Sequence, residues 1–103
     1  ALEPNFAALS RIESLGFVVT APGDNSDFVS RFFAPSAGID EDPATGSWHT
    51  MLSRILGTHF ALPEAACWQA YPGRGARVDV RLEGDRVKLV GRAVTVIEGR
   101  FRI

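Results

Sequence analysis

From Val78 onward the chain changes period: Val78, Val80 and Leu82 alternate with Asp79, Arg81 and Glu83. A period of two puts apolar side chains on one face of an extended strand and polar ones on the other, the pattern of a sheet covered on one side. Gly84-Asp85 and Glu98-Gly99 are two-residue hairpin signals, and residues 87–89, 94–96 and 101–103 carry the alternation on to the last residue. The C-terminal part is therefore expected to be a run of antiparallel hairpin strands. Such a sheet needs a cover. Trp48, Met51, Leu52, Ile55 and Leu56 fall on one stripe at helical spacing, with Ser47 as the expected N-cap, which predicts a helix over residues 47–58.

Upstream, Leu9, Ile12 and Leu15 recur at helical spacing, with Phe6 and Ala8 extending the face and Gly16 as the stop, so residues 4–15 are read as a first helix. Residues 17–21 and 27–34 are β-rich and are separated by Pro22-Gly23-Asp24-Asn25, a turn. Residues 65–71 form a further strand, and residues 35–45 a loop bracketed by Gly38 and Pro43. The fold class is α+β: a mostly antiparallel, barrel-like sheet wrapped around a central helix, as a single domain over residues 1–103.

The chain has 103 residues with a formal charge of −1, so no basic excess draws nucleic acid or anionic lipid. No apolar run approaches the roughly 20 residues of a membrane span. The single cysteine, Cys67, excludes an internal disulfide and suits a reducing cytoplasm; it reads as a small buried hydrophobe beside Trp68. Two histidines and one cysteine without ligand spacing argue against a metal site. Met51 is the only methionine, so Ala1 follows a removed initiator or a longer chain that was cut.

The chemistry of the chain concentrates in GIDEDPATGSWHT, residues 38–50, where Asp40, Glu41 and Asp42 crowd ahead of the helix start. Pro43 holds Asp42 extended. The first amides of a helix lack internal partners and sit at the positive end of its dipole, so they attract an anion. Two readings follow. Either the acids cap their own helix, or one of them works as an acid or base beside a bound carboxylate or phosphate.

The run DFVSRFFAPSAGIDEDPATGSWHTML, residues 27–52, resembles the PhzF-like (phenazine biosynthesis protein) family, whose members carry the phrase R-F-F-A-P-x-x-G-I-x-E-D-P-x-T-G-S-A-H. Residues 69–74 and 85–103 are similar to the family's closing strands. The resemblance implies a single lobe, the C-terminal one, of a diaminopimelate epimerase-like fold with two alike lobes and a cleft between them. It implies cofactor-independent isomerisation of a small carboxylate by proton transfer. Asp42 would be an acid or hydrogen-bonding group, while Thr45, Gly46, Ser47 and His49 would bind the substrate carboxylate. No segment matches the family's N-terminal glutamate and histidine, and Trp48 stands in place of a small alanine.

A proton-transfer site needs acid and base to flank one carbon. The partner expected from this resemblance is therefore a second copy, forming a homodimer that rebuilds the cleft, or a missing N-terminal lobe. A non-catalytic anion-binding module and a remnant lobe are the competing expectations. In the last case Trp48 and Phe33 would belong to the exposed interlobe face.

Overall fold

The computed structural model describes residues 2–103. Two sheets and one long helix organise the chain. The first sheet begins with β1 (Phe17–Pro22) and β2 (Phe28–Ala34), an antiparallel pair in which Phe17 faces Phe33 and Pro22 faces Phe28. A 3₁₀ turn (Pro35–Ala37) ends on Gly38 in the left-handed region and leads to β3 (Ile39–Asp42), which returns antiparallel to the end of β2. Helix α2 (Gly46–His59) follows, after the short α1 (Phe6–Leu9) at the N terminus. The remaining strands are β4 (Glu64–Ala65), β5 (Cys67–Gln69), β6 (Ala76–Arg77), β7 (Asp79–Glu83) and β8 (Arg86–Val90). β5 and β6 join the first sheet, with β5 parallel to β2, while β4, β7 and β8 make the second.

The core lies where α2 packs against the second sheet and β5: Leu52, Leu56, Ala65, Cys67 and Val80 are buried together, with Phe28 and Trp48 against them. The strand expected over residues 65–71 is broken at Ala66. Its carbonyl accepts the amide of Asp27 at 2.8 Å and its own amide donates to the Asp27 carboxylate at 2.7 Å, so the chain leaves one sheet there and enters the other. Helix and sheet approach closely at Gly57, where a Cβ would overlap Leu82. The sheets are mixed α+β architecture as expected, but they remain two open sheets and do not close into a barrel.

Several expectations are corrected. The first helix is confined to Phe6–Leu9, because the Ser36 hydroxyl takes the Ser10 and Ile12 carbonyls and Ser14 bonds Gly16 instead of continuing the ladder. Residues 35–45 are not all loop, since β3 runs through the acids. The Gly84-Asp85 hairpin forms as read, with Gly84 at φ 63° and Glu83 facing Arg86. The Glu98-Gly99 hairpin does not: residues 91–103 form no strand and lie exposed. The helical stripe also splits, with Leu52 and Leu56 buried but Met51 and Ile55 facing outward. Phe33 is no interlobe residue: it is buried, edge-on to Phe6 with ring centroids 6.0 Å apart. Trp48 is half-buried and packs on the core.

Candidate functional site

One edge of β2 is shared by two strands. β5 occupies it opposite residues 28–30 and β3 opposite residues 32–34. Where the two meet, Gln69 pairs with Ser30 and Asp42 with Phe32, which brings the last residue of β5 beside the last residue of β3. Gln69 is wholly buried and every arm of its amide is used. Its Oε1 accepts the Thr45 amide at 2.8 Å, and its Nε2 donates to the Asp42 carbonyl at 2.6 Å and the Thr45 hydroxyl oxygen at 3.0 Å. The main-chain donor of Thr45 fixes which end of the amide is oxygen.

The three acids have three different fates. Asp40 is exposed. Glu41 is buried and forms a two-pronged ion pair with Arg31 of β2, Nε to Oε1 at 2.7 Å and Nη2 to Oε2 at 2.8 Å. Fork-to-fork geometry of this kind is strong and directional. Arg31 also donates to the Leu2 carbonyl at 2.7 Å and lies over the Phe33 ring. Asp42 is half-buried; its Oδ2 accepts the Thr45 hydroxyl at 2.7 Å and its Oδ1 the Ala44 amide at 3.5 Å. Its carboxylate is thus fixed by the helix cap, three residues ahead of it in the chain.

The cap of α2 is Thr45, in extended geometry (φ −117°, ψ 101°), and not Ser47 as the residue types suggested. The Thr45 side chain makes no capping bond, because its hydroxyl is committed to Asp42. The first main-chain bond back to the cap comes from His49 at 3.4 Å, so the amides of Gly46, Ser47 and Trp48 lie ahead of the ladder. Gly46 and Ser47 are exposed. A Cβ on Gly46 would meet only Leu89 at 3.5 Å, an ordinary contact, so the space in front of the helix start is open on the lobe's own side.

His49, expected from the resemblance to bind the substrate carboxylate, is held inside the turn. The ring is wholly buried and its Nδ1 is 2.7 Å from the Thr45 carbonyl. A carbonyl only accepts, so Nδ1 carries the proton and Nε2 is the unprotonated nitrogen, without a partner among the described residues. Burial lowers its pKa, partly offset by the bond to Thr45. In this lobe His49 therefore holds the turn from inside, while Asp42, Gly46 and Ser47 present the outer surface. Thr45 is buried between them.

Gln69 escaped the sequence reading because one amide in the run AACWQAY looks like an ordinary strand residue. The only signal is that it shares a face with Cys67, two positions earlier, and that face is buried. Cys67 is buried as expected, with its thiol pushed up to about 11 by burial and, less strongly, by Asp79 and Asp27. A groove of about 590 Å³ lies away from Asp42, lined by Asp27, Glu64, Asp79 and Lys88 among others. Among the described residues, no helix is long and apolar enough to cross a membrane.

The chain is similar in sequence and fold to known proteins. The family model for phenazine biosynthesis-like proteins (PhzC-PhzF) matches residues 1–99. An uncharacterized isomerase of Pseudomonas aeruginosa is 46% identical over 103 residues, which is 100% of this chain and 39% of the relative. An uncharacterized isomerase of Halalkalibacterium halodurans is 40% identical over 97% of this chain and 38% of its own length. A solved putative phenazine biosynthesis PhzC/PhzF protein from Clostridium difficile superposes with a TM-score of 0.83 at 35% identity, covering 99% of this chain and 39% of that one. The chain thus spans about two-fifths of the length of the relatives it matches. Over that span, this chain belongs to the phenazine biosynthesis-like (PhzC/PhzF) family.

Proposed function

We propose that this lobe supplies half of an isomerase cleft in which a small carboxylate is bound at the start of α2 and a proton is moved by Asp42. The observation that carries the reading is the placement of one fixed carboxylate, Asp42, directly ahead of three helix amides free of the ladder and two exposed residues, Gly46 and Ser47. Partial positive charge at a helix start favours a carboxylate ligand. The Ser47 hydroxyl adds a donor, while Thr45 and His49 fix the turn. Asp42 is the acid/base or hydrogen-bonding group on this side of the substrate carbon, and the chemistry uses no cofactor.

The second side comes from a second lobe. The relatives are more than twice as long as the matched span, which favours a distinct lobe over the homodimer. Closure of the open sheets into a barrel-like wrap around α2, and a cytoplasmic setting for the free buried thiol of Cys67, belong to the same reading.

The test has two parts. Titration of the chain with acetate and succinate, followed by amide chemical shifts, is expected to move Gly46, Ser47 and Trp48 together, and Gly46→Ala to weaken that response while leaving the fold intact. With both lobes present, exchange of a carbon-bound proton of small carboxylates for deuterium from solvent is expected to fall at least about a hundredfold in Asp42→Asn, the usual scale for a general acid or base. Exchange unchanged by Asp42→Asn would remove Asp42 from the reaction. Carboxylate binding that is equal or tighter in Asp42→Asn, with no exchange in either form, would leave an anion-binding module.

A further inference from the structure

The hydrogen bonds around Thr45 have a direction as well as a length, and their protons make the two oxygens of Asp42 unequal. A main-chain amide only donates, so the Thr45 amide fixes Oε1 of Gln69 and leaves Nε2 as the donor. Both protons on Nε2 are then spent, one on the Asp42 carbonyl at 2.6 Å and one on the Thr45 hydroxyl oxygen at 3.0 Å. The Thr45 hydroxyl therefore receives on one side and has a single proton to give on the other. Thr45 is buried, and the acceptor for that proton among the described residues is Asp42 Oδ2 at 2.7 Å. A hydroxyl turned the other way would bury its proton without a partner. Gln69 is itself clamped. Its strand is paired on both sides, with Ser30 of β2 and Ala76 of β6, and a Cβ on Gly75 would run into the Gln69 carbonyl.

We infer that Gln69 is a positioning residue for Asp42, acting through the Thr45 hydroxyl: the relay commits Oδ2 as an acceptor and leaves Oδ1 as the oxygen that meets the ligand. Oδ1 has only the Ala44 amide, at 3.5 Å, which is longer than a firm N–H···O bond. That contact is exposed, whereas the bond from Thr45 to Oδ2 is partly buried. The step itself rests on the proposed function. Oδ1 takes a proton from the substrate carbon with one lone pair, the electron pair of the broken C–H bond stays on the substrate, and the same oxygen returns the proton to carbon. Oδ2 keeps its bond to Thr45 throughout, so the carboxylate does not turn between the two transfers. A swing of the carboxylate would break that bond, and reacting groups work only when held in line.

The relay is tested first in the chain itself, without turnover. Replacing the Thr45 hydroxyl proton by deuterium is expected to shift the carboxyl carbon of Asp42 in the NMR spectrum. Thr45→Ser should keep that isotope shift and Thr45→Val should lose it. Gln69→Glu removes both Nε2 protons and offers an acceptor in their place, so the shift is expected to pass from Asp42 to the new carboxylate. Where Gln69→Glu fails to fold, the two Thr45 variants decide alone. With both lobes present, exchange of solvent deuterium into small carboxylates should fall at least about tenfold in Thr45→Val, the scale of one hydrogen bond to a charged group. The loss should appear in kcat and not in KM, and Thr45→Ser should restore it. An isotope shift absent from Asp42 in the parent, or one that stays on Asp42 in Gln69→Glu, would overturn the inference. So would equal exchange in the valine and serine variants. Exchange unmoved by Asp42→Asn, with the isotope shift in place, would end the catalytic reading alone and leave the relay standing.

Discussion

The start of α2 and the C-terminal segment are opposite cases within one small chain. Around Thr45 the side chains tie one another down inside the lobe: Gln69 serves Thr45 and Asp42, Thr45 serves Asp42, and His49 serves Thr45. Around Val94 to Ile103 the apolar side chains find nothing. Hydrogen bonds are short-ranged and directional, so a turn whose side chains bond one another takes its shape once its own residues are in place. Apolar surface only asks to be covered, and the cover can come from another polypeptide. The first region therefore holds its shape without a partner, whereas the second has nothing of its own to pack on.

That contrast can be broken most forcefully at Gln69. Gln69→Leu keeps the volume but removes three bonds and leaves the Thr45 amide buried without an acceptor. The expected loss is on the order of 3 kcal/mol, read as a lowered urea midpoint. A loss below about 1 kcal/mol would mean that the turn stands without its amide. A smaller effect comes from His49. Its folded pKa lies below the ordinary value, so as pH falls below about 6.5 the unfolded chain takes up a proton that the buried ring refuses. Stability is fully present above that pH and declines on the acid side until the folded pKa is passed. Comparing urea midpoints at pH 7.5 and 5.5, the parent should lose more than His49→Gln; equal losses would show a ring that opens to solvent.

The smallest effect sharpens the comparison from its other side. Phe101→Lys in the isolated chain should change stability by no more than about 0.5 kcal/mol, as substitutions of uninvolved surface residues do. A larger loss would place Phe101 in the lobe's own packing.

Much of this architecture is legible in the residues. Gly84-Asp85 demanded a hairpin, and the alternation around Val80 and Leu82 supplied its strand. Leu52 and Leu56 marked the buried side of α2, whereas Met51 and Ile55 were apolar without being covered, which periodicity alone cannot distinguish. β3 was invisible because Asp40, Glu41 and Asp42 look like a solvated loop; only the arginine ten positions earlier, brought alongside by β2, lets Glu41 be buried. Gln69 was invisible for a similar reason, since its partners lie 24 and 27 residues away. The Glu98-Gly99 signal was chemically sound, but a turn cannot hold a hairpin whose apolar face has no cover.

The shared edge of β2 also has a consequence in time. The helix-opening turn and its acid are complete by Thr45, yet the amide that holds them arrives only at Gln69, after the whole of α2 has been made and β5 has paired in parallel with β2. Closing so long a loop comes before any of the contacts that reward it. On a growing chain the turn therefore waits, and the surface that would meet a ligand takes its final shape only when the lobe around it is nearly finished.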